Sequence, residues 1–240
     1  MPNVHVEHKR SGEIFAREIP GWKRALDIAG AVALLIAASP LMIAVALWIK
    51  IVSPGPALFR QLRVGHGGEP FPMIKFRTMR VGADVTAHKN YMAELVRNGE
   101  AADKPMLKQD RANPAIIPFG NVLRKSCIDE LPQLFNVLKG NMSLVGPRPV
   151  IPYEVDEFLC WHHGRFDVLP GLTGLWQVMG KNSLTFNEMI RLDVRYSREM
   201  SPALDAEILL RTPGVILGQL TGGAREKQRD QSGQAETAAR

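Results

Sequence analysis

The sequence predicts a mostly helical α/β protein in which a re-entrant membrane helix precedes a small cytoplasmic domain that lies on the membrane interface. Three observations lead to this prediction. Residues 25–49 are apolar except for Asp27, and Ser39 and Pro40 lie inside this run. Basic residues flank both of its ends. After it, "SPGP" at 53–56 ends any continuing helix, and strand-like and helix-like patterns follow.

Composition limits the class of protein without choosing its function. The chain has 240 residues, of which 45% are hydrophobic, and a formal net charge of +6. It is long enough for one domain with a substantial core, and its charge suits anionic lipids, phosphorylated small molecules or nucleic acid. Only 7% of residues are aromatic, and they are not interleaved with basic ones, so we predict no nucleic-acid partner. Cys127 and Cys160 are expected to be free thiols in a reducing cytoplasm.

The first element is a polar arm at 1–20, followed by the membrane helix, which we assign to 21–52. The arm has mixed charge. The apolar run after it is too long for the hydrophobic region of a cleavable signal peptide, and it lacks the small-residue cleavage pattern. We therefore expect the apolar segment to be retained.

The apolar run could cross a bilayer or turn back inside it. As a straight helix, 25–49 would measure about 37 Å, whereas a bilayer core of about 30 Å needs about 20 residues. However, Pro40 removes one backbone donor and bends a helix, and Ser39 can donate to a carbonyl one turn back and ease the bend. These features favour re-entry. A single spanning helix with a proline kink is the alternative.

Charge also favours re-entry. Lys23 and Arg24 precede the apolar run, and Lys50 follows it. Because basic residues are enriched on the cytoplasmic side, both ends of the helix are predicted to be cytoplasmic. Asp27 lies about one turn after Lys23 and Arg24, so we expect it to pair with them at the level of the lipid headgroups.

Residues 53–220 are predicted to form one domain of short strands and helices. The runs "ALFRQLRVG" and "FPMIKFRTMRVG", joined by "HGGEP", predict a hairpin. Apolar spacing and stop signals predict helices at 83–97, 126–139, 154–161, 185–199 and 204–220. The polar, glycine-containing residues 221–240 predict a disordered tail.

One stretch, "RKSCIDELPQLFNVLKGNMSLVGPRP", combines charge with helix-start signals. Ser126 and Asp129 form an S-x-x-D capping pattern, which predicts that a helix begins here with Asp129 and Glu130 at its positive end. Adjacent carboxylates repel unless a cation joins them, and Mg²⁺ is the expected cation beside a phosphorylated substrate. Arg124 lies one turn earlier, and Arg148, between two prolines, could clamp a phosphate bidentately.

Each of these features has a simpler interpretation when taken alone. An Asp-Glu pair at a helix start is usually a cap on a solvated face, and Gly-Pro-Arg-Pro could be an ordinary turn. Their joint occurrence around one amphipathic helix, after a membrane segment, favours a phosphate-binding site.

Three motifs resemble those of the bacterial sugar transferases called monotopic phosphoglycosyl transferases: "KFRTM" (75–79), "DELPQLFNVLKGNMSLVGPRP" (129–149) and "LPGLTGLWQVMGKN" (169–182). "KRALDI" with the later Ser-Pro pair is similar to that family's re-entrant helix, and the similarity covers about 22–220. In that family an Asp-Glu dyad moves a sugar-1-phosphate from a UDP-sugar to polyprenyl phosphate and releases UMP. The resemblance therefore implies a monotopic protein of the bacterial inner membrane, with its catalytic domain at 53–220 and both termini cytoplasmic.

The resemblance also implies roles for individual residues. Asp129 would be the nucleophile that takes the phosphosugar, Glu130 would complete the dyad, and both would hold Mg²⁺. Arg124 and Arg148 would contact phosphate or nucleotide. The remaining substrate or phosphate contacts that it implies are Lys75, Arg77 and Lys181. The helix break that it implies is Ser39 and Pro40.

Two places depart from the family pattern. Where the family usually has Asp-Pro-Arg-Ile/Val-Thr, this chain has "NPAII" at 113–117, without the Arg at 115 and the Thr at 117. Lys181 stands where the family often has an Arg, so the charge is kept but the planar fork is lost. The sequence leaves the effect of these differences on substrate contacts open.

Two other functions remain alternatives at this stage. A glycosyltransferase that moves only the sugar would release UDP instead of UMP, and a membrane-anchored scaffold would release neither. The C-terminal part resembles longer family members that transfer glucose- or galactose-1-phosphate, which favours a hexose. The expected partners are the UDP-sugar, polyprenyl phosphate, inner-membrane lipids and a second copy of the chain in a homodimer.

Overall fold

The structure is a computed structural model that describes residues 16–82, 115–180 and 184–238. The helices are α1 (Gly21–Val52), α2 (Gly120–Lys125), α3 (Leu134–Lys139), α4 (Pro152–Val155), α5 (Leu175–Met179), α6 (Phe186–Glu199) and α7 (Pro202–Ala238). The strands are β1 (Leu58–Val64), β2 (Pro70–Phe76), β3 (Ser143–Val145) and β4 (Gly171–Thr173). Short 3₁₀ helices are His66–Gly68, Ile128–Gln133 and Cys160–Asp167. The described part is mostly helical, as predicted, and both cysteines are free thiols.

The apolar helix α1 is continuous across Pro40, so the predicted separation into two helices is not seen. The predicted bond beside the proline is present, since Ser39 Oγ donates to Ile36 O at 2.9 Å. By length and composition, α1 could cross a membrane. Its middle exposes large apolar side chains, such as Ile36 at 71% and Ile43 at 61%.

Both ends of α1 pack against the domain that follows it. Near its N-terminal end, Ala31 is fully buried in the largest core cluster, with Leu134 and Val137 of α3. Near its C-terminal end, Val45 and Ile49 belong to a second cluster, which includes residues of β2 and α2. The exposed middle of the helix therefore lies between two buried ends.

The predicted hairpin is confirmed. β1 and β2 pair antiparallel, in a register that places Phe59 opposite Lys75 and Arg63 opposite Phe71. Because side chains alternate between the two faces of a strand, Arg63 and Lys75 lie on the same face of the hairpin. Residues 66–68, within the predicted turn, form one 3₁₀ turn in which Gly67 has a φ of 65°.

A parallel pair, β3 and β4, brings two of the sequence motifs together. Ser143 pairs with Gly171, and Val145 pairs with Thr173. β3 leads into the loop 146–149, which contains the sequence "GPRP". The second motif, which begins "LPGLTG", therefore forms the neighbouring strand of this loop.

The prediction that a helix begins at Ser126 and is capped by its hydroxyl is wrong. Ser126 Oγ donates back to the carbonyls of Val122 and Leu123, at 2.8 and 3.1 Å, and so closes the end of α2. Cys127 then reverses the chain with a φ of 57°. Because the hydroxyl is used one turn earlier, it does not cap the following segment. Asp129 and Glu130 still lie in the first turn, but of the 3₁₀ helix Ile128–Gln133, and α3 starts after it.

Asp27 lies within ion-pair distance of Lys23, as predicted, but the predicted location of this pair at the lipid headgroups is wrong. Asp27 is completely buried and accepts hydrogen bonds from Ser143 Oγ and Leu144 N, both at 2.8 Å. Lys23 is buried as well, and its nearest carboxylate is that of Asp205, whereas Asp27 lies 3.9 Å away. Lys23 and Asp27 therefore lie inside the folded domain, where Asp205, Ser143 and Leu144 provide their further partners.

The later helices follow the predictions in part. α6 agrees closely with the predicted helix at 185–199, but the predicted helix at 154–161 is replaced by the short α4 and a 3₁₀ helix. α7 continues through Ala238, into the segment 221–240 that we predicted to be a disordered tail. The predicted helix at 83–97 lies outside the described residues, and the domain boundaries stay predictions.

Candidate active site

A pocket that is open to solvent lies where the hairpin, the 3₁₀ helix Ile128–Gln133 and the loop 146–149 meet. The charged and polar side chains that line it are Arg63, Lys75, Glu130, Gln133, Arg148 and Gln177. The pocket therefore brings together three of the residues that the sequence predicted, Lys75, Glu130 and Arg148. Asp129, next to Glu130 in the same 3₁₀ helix, is only 7% exposed.

Arg148 reaches the acidic dyad directly. Its Nη1 lies 3.5 Å from Glu130 Oε1, and both side chains keep some contact with solvent. A partly exposed ion pair of this length contributes little to stability. The pair therefore matters chiefly because it holds an arginine beside two adjacent carboxylates.

The backbone of the Arg148 loop is held by two buried arginines. Pro147 and Pro149 have no backbone N–H, so the loop is fixed mainly through its carbonyls. Arg165 Nη2 donates to Arg148 O at 2.8 Å, and Arg63 Nη1 donates to Pro149 O at 3.0 Å. The flanking backbone bonds are Gly171 N to Pro147 O and Val64 N to Val150 O. Four successive carbonyls are thus fixed, and the Arg148 side chain starts from a rigid position.

Arg165 is itself oriented by a buried carboxylate. Asp193 Oδ2 of α6 lies 2.7 Å from Arg165 Nη2, and both side chains are almost inaccessible to solvent. Burial raises the pKa of Asp193 to about 7, against the opposing effect of the positive charges on Arg165 and Arg148. The pair therefore connects α6 to the loop that carries Arg148.

Three cations crowd the pocket. Burial, and then the positive charges of Arg63 and Arg148, lower the pKa of Lys75 to about 8, while Asp129 and Glu130 oppose the shift. Burial, followed by repulsion from Arg148, lowers the pKa of Arg63 to about 10. An anionic ligand would relieve this repulsion, so the charge of the pocket suits phosphate groups.

Arg63 is the charged residue of this pocket that was not predicted from the sequence to belong to the site. The hairpin pattern could have indicated this residue. Side chains alternate between the two faces of a strand, so once the turn is known, residues 63 and 75 are expected on the same face. Gln133 and Gln177 had no comparable signal. They reach the pocket through the folding of separate segments.

Two predicted contacts are not brought into this pocket. The Arg77 guanidinium is buried and donates to Ser53 Oγ and O and to the carbonyls of Pro54 and Pro56, at 2.7–2.9 Å. It therefore anchors the turn that follows α1. Arg124 lies on α2, half-buried, and is not among the described residues that line the pocket. Lys181 lies outside the described residues.

Of the segment 113–117, which departs from the family pattern, the structure describes residues 115–117. Arg80 N donates to Ala115 O at 2.7 Å, and Ile117 N donates to Thr78 O at 3.1 Å. Ile117 is 2% exposed and packs in the cluster that also holds Ile49 of α1. In this chain, position 117 therefore supports α1 through an apolar contact.

The donor set suits a magnesium ion that is shared with substrate. Across residues 16–82, 115–180 and 184–238, no group of three or more His, Cys, Asp or Glu side chains is placed to hold a metal by itself. Mg²⁺ usually keeps several waters and is bound by one or two carboxylates together with substrate phosphates. Asp129 and Glu130 fit that mode of binding.

Comparison with known proteins identifies related sugar transferases. The family model for bacterial sugar transferases matches residues 19–219. The undecaprenyl-phosphate galactose phosphotransferase of Salmonella typhimurium is 39% identical over 81% of this chain, which spans 40% of that relative. The exopolysaccharide production protein ExoY of Sinorhizobium fredii is 35% identical over 82% of this chain and 86% of its own length. The UDP-glucose:undecaprenyl-phosphate glucose-1-phosphate transferase of Caulobacter vibrioides is 38% identical over 81% of this chain and 69% of its own length.

The chain thus covers less than half of the first of these relatives and most of the second. The family match, in contrast, extends over nearly all of the described domain, including the dyad, the Arg148 loop and both ends of α1. The chain belongs to the bacterial sugar transferase family.

Proposed function

We propose that this protein transfers a hexose-1-phosphate from a UDP-hexose to undecaprenyl phosphate, releases UMP, and so initiates synthesis of a surface polysaccharide. The observation that carries the proposal is the pocket that Arg63, Lys75 and Arg148 line together with Glu130, beside Asp129, whose charge acts on Lys75. The substrates follow from the names of the relatives, which act on undecaprenyl phosphate and galactose or glucose phosphates.

The dyad can divide the transfer into two steps. In the first, a carboxylate oxygen of Asp129 attacks the phosphorus that carries the hexose, the bond from that phosphorus to UMP breaks, and UMP leaves with the electron pair. In the second, a phosphate oxygen of the lipid attacks the same phosphorus, and the Asp129 carboxylate is regenerated. Arg148, Lys75 and Arg63 would offset the negative charge on the phosphoryl oxygens. Mg²⁺ held by Asp129 and Glu130 would supply further charge neutralisation at those oxygens.

Loading of the enzyme without acceptor tests the covalent step. Enzyme, Mg²⁺ and labelled UDP-galactose or UDP-glucose should give UMP stoichiometric with enzyme before any lipid is added, because the nucleophile belongs to the protein. Intact-protein mass measurement should show the addition of one hexose phosphate, which Asp129→Asn lacks. Release of UDP would favour a glycosyltransferase. UMP that appears only with lipid would favour direct transfer, and no nucleotide product under any condition would favour a scaffold.

Binding of the donor should depend on the charge of Lys75. The pKa of Lys75 is lowered to about 8, so the side chain is charged below that pH and becomes neutral above it. We expect the KM for the UDP-hexose to rise as the pH passes from 7 to 9. In Lys75→Arg, which stays charged, the rise should be much smaller. Ionisation of the uracil ring of the substrate would affect both enzymes equally, so it cannot cause a difference between them. If KM has the same pH dependence in both enzymes, this role of Lys75 is ruled out.

We further propose that α1, as one helix that contains Pro40, dips into the cytoplasmic leaflet of the inner membrane at its exposed middle and keeps both of its ends at the same membrane surface. The support is that both of its ends pack against one domain, while its exposed apolar middle would contact the lipid acyl chains. A helix with both ends on the same domain is difficult to reconcile with crossing a bilayer. A homodimer stays a prediction from the sequence.

This topology predicts that both termini are cytoplasmic. Cysteines introduced at residues 10 and 235, in a background without the native ones, should resist a membrane-impermeant thiol reagent in intact cells and react after lysis. A matched cysteine in a known periplasmic protein verifies that the reagent has access. Labelling of either terminus in intact cells would contradict re-entry and favour a spanning helix.

A further inference from the structure

The first two turns of α1 carry three charged residues, Lys23, Arg24 and Asp27, and all three bind the domain. Lys23 is 2% exposed and Asp27 is fully buried. The side chains of all three make hydrogen bonds to backbone and side-chain groups more than a hundred residues further along the chain. We call these three residues the entry cluster.

Lys23 lies where α1, β3 and α7 cross. Its Nζ donates to Val145 O at 2.9 Å and to Asp205 Oδ2 at 2.5 Å. The Tyr196 hydroxyl lies 2.7 Å from the other oxygen of Asp205 and 3.0 Å from Val145 O. Asp205 and Tyr196 are at most 1% exposed. The Val145 carbonyl at the end of β3 is therefore contacted by Lys23 of α1 and by Tyr196 of α6 at the same time.

The other two residues bind the segments that carry the site. Arg24 Nη1 and Nη2 donate to Val137 O and Leu138 O, both at 2.6 Å, and so hold the C-terminal end of α3. Asp27 accepts from Ser143 and Leu144 of β3. α3 follows directly on the 3₁₀ helix of the dyad, and β3 leads directly into the Arg148 loop. The start of the membrane helix thus holds both segments that bring Glu130 and Arg148 together.

We propose that the entry cluster consists of positioning residues that fix the catalytic pocket relative to the bilayer, and that it serves the step with the lipid acceptor. The inference rests on the proposed function, in which one substrate is soluble and the other lies in the membrane. Both substrates meet the same dyad, but only the membrane-held one requires a fixed distance between α1 and the pocket.

The chemistry of the cluster supports a role in geometry. Burying an ammonium and two carboxylates costs on the order of several kcal/mol of folding free energy for each ion. Well-packed apolar residues at the same place are often as stabilising as a buried ion pair. Directional bonds to single carbonyls, however, fix the rotation and depth of a helix, which apolar packing does less sharply. The Arg148 loop has its own supports in Arg63 and Arg165. Loss of the cluster should therefore leave the site assembled while loosening its attachment to α1.

The test compares two acceptors in the full-length protein. Lys23→Met combined with Asp205→Asn removes both charges of the closest ion pair, while Asp27 keeps its hydrogen bonds from Ser143 Oγ and Leu144 N. Arg24→Lys is a milder second variant, because lysine lacks the two-pronged fork. Arg211→Ala with Glu207→Ala removes an exposed ion pair of α7 and serves as the matched control. Melting temperature and circular dichroism report folding.

With labelled UDP-galactose or UDP-glucose and no lipid acceptor, the double variant should release one UMP per enzyme. The rate of this release should be within about twofold of that of the unmodified protein. Transfer to undecaprenyl phosphate in phospholipid vesicles should fall at least about tenfold, whereas transfer to farnesyl phosphate in detergent should stay within about threefold. Arg24→Lys should show the same pattern more weakly. Equal losses with both acceptors, or full activity in vesicles, would overturn the inference.

A distance measurement decides the same point without catalysis. Nitroxides are placed on Cys160, which is exposed, and on Ile36→Cys at the exposed middle of α1, with Cys127→Ser. In vesicles, the distance distribution between them should be narrow in the otherwise unmodified protein and broad in the double variant. An unchanged distribution would overturn the inference. If the unmodified protein forms no UMP and no product, the proposed function fails, and this distance still decides whether the cluster fixes α1.

Discussion

Asp129→Asn is expected to reduce transfer of the hexose phosphate by at least about 10³-fold while leaving the protein folded and bound to membranes. The amide has nearly the shape of the carboxylate but is a very poor nucleophile toward phosphorus. Asp129 is 7% exposed, in a short 3₁₀ helix whose fold depends on buried neighbours such as Leu134. Product formation from labelled UDP-hexose and undecaprenyl phosphate, together with a membrane flotation assay, measures both properties.

The controls separate the nucleophile from its surroundings. Asp156→Asn changes an exposed carboxylate at the end of α4 and should retain full activity. Glu130→Gln should lose less than Asp129→Asn and should still form the covalent adduct slowly, because the attacking carboxylate remains. Substantial turnover by Asp129→Asn would show that another group attacks phosphorus.

Gly171→Ala is expected to have the largest effect on folding. A Cβ at this position would lie 2.0 Å from Gly146 N and 2.4 Å from Thr173 O. Both are backbone atoms in or beside the paired strands β3 and β4, so neither can move without breaking that pairing. We expect the free energy of unfolding to fall by more than about 3 kcal/mol, or the protein not to fold. Denaturant unfolding in detergent measures the change.

Gly214→Ala is the matched control. Gly214 lies inside α7, and a Cβ there would have no atom within 4 Å. The substitution should therefore be neutral or stabilise the helix by up to about 1 kcal/mol. If Gly171→Ala were as mild as this control, the close contact between the loop 146–149 and β4 would be wrong, together with the position of Arg148 that depends on it.

Features that depend on neighbours along the chain could be predicted from the sequence. Alternating strands around "HGGEP" gave the hairpin, and the length and apolarity of 25–49 gave the long helix α1. The dyad and the proline-flanked Arg148 stood out because unusual residue types lie close together in the chain. The structure places Arg148 3.5 Å from Glu130, and the roles of both residues stay predictions.

Which charges serve the site and which serve the fold could not be predicted in the same way. The sequence assigned Arg77 to substrate and placed the Lys23–Asp27 pair at the level of the lipid headgroups. In the structure, Arg77 binds the turn after α1, and Lys23 is buried against Val145 and Asp205. The sequence did not predict that Arg63 and Arg165 hold the backbone of the Arg148 loop.

The physical reason is that a side chain has the same donors wherever it lies, and its partner is chosen by the folded chain. Local periodicity determines which residues share a face over a few turns or strands. It carries no information about a carbonyl that lies 122 residues away in sequence, as Val145 O lies from Lys23. Thus the sequence alone determined the elements and the chemical character of the candidate site. Tertiary packing decided which arginines and lysines are free to meet a phosphate, because each buried charge must first satisfy the backbone and carboxylate groups around it.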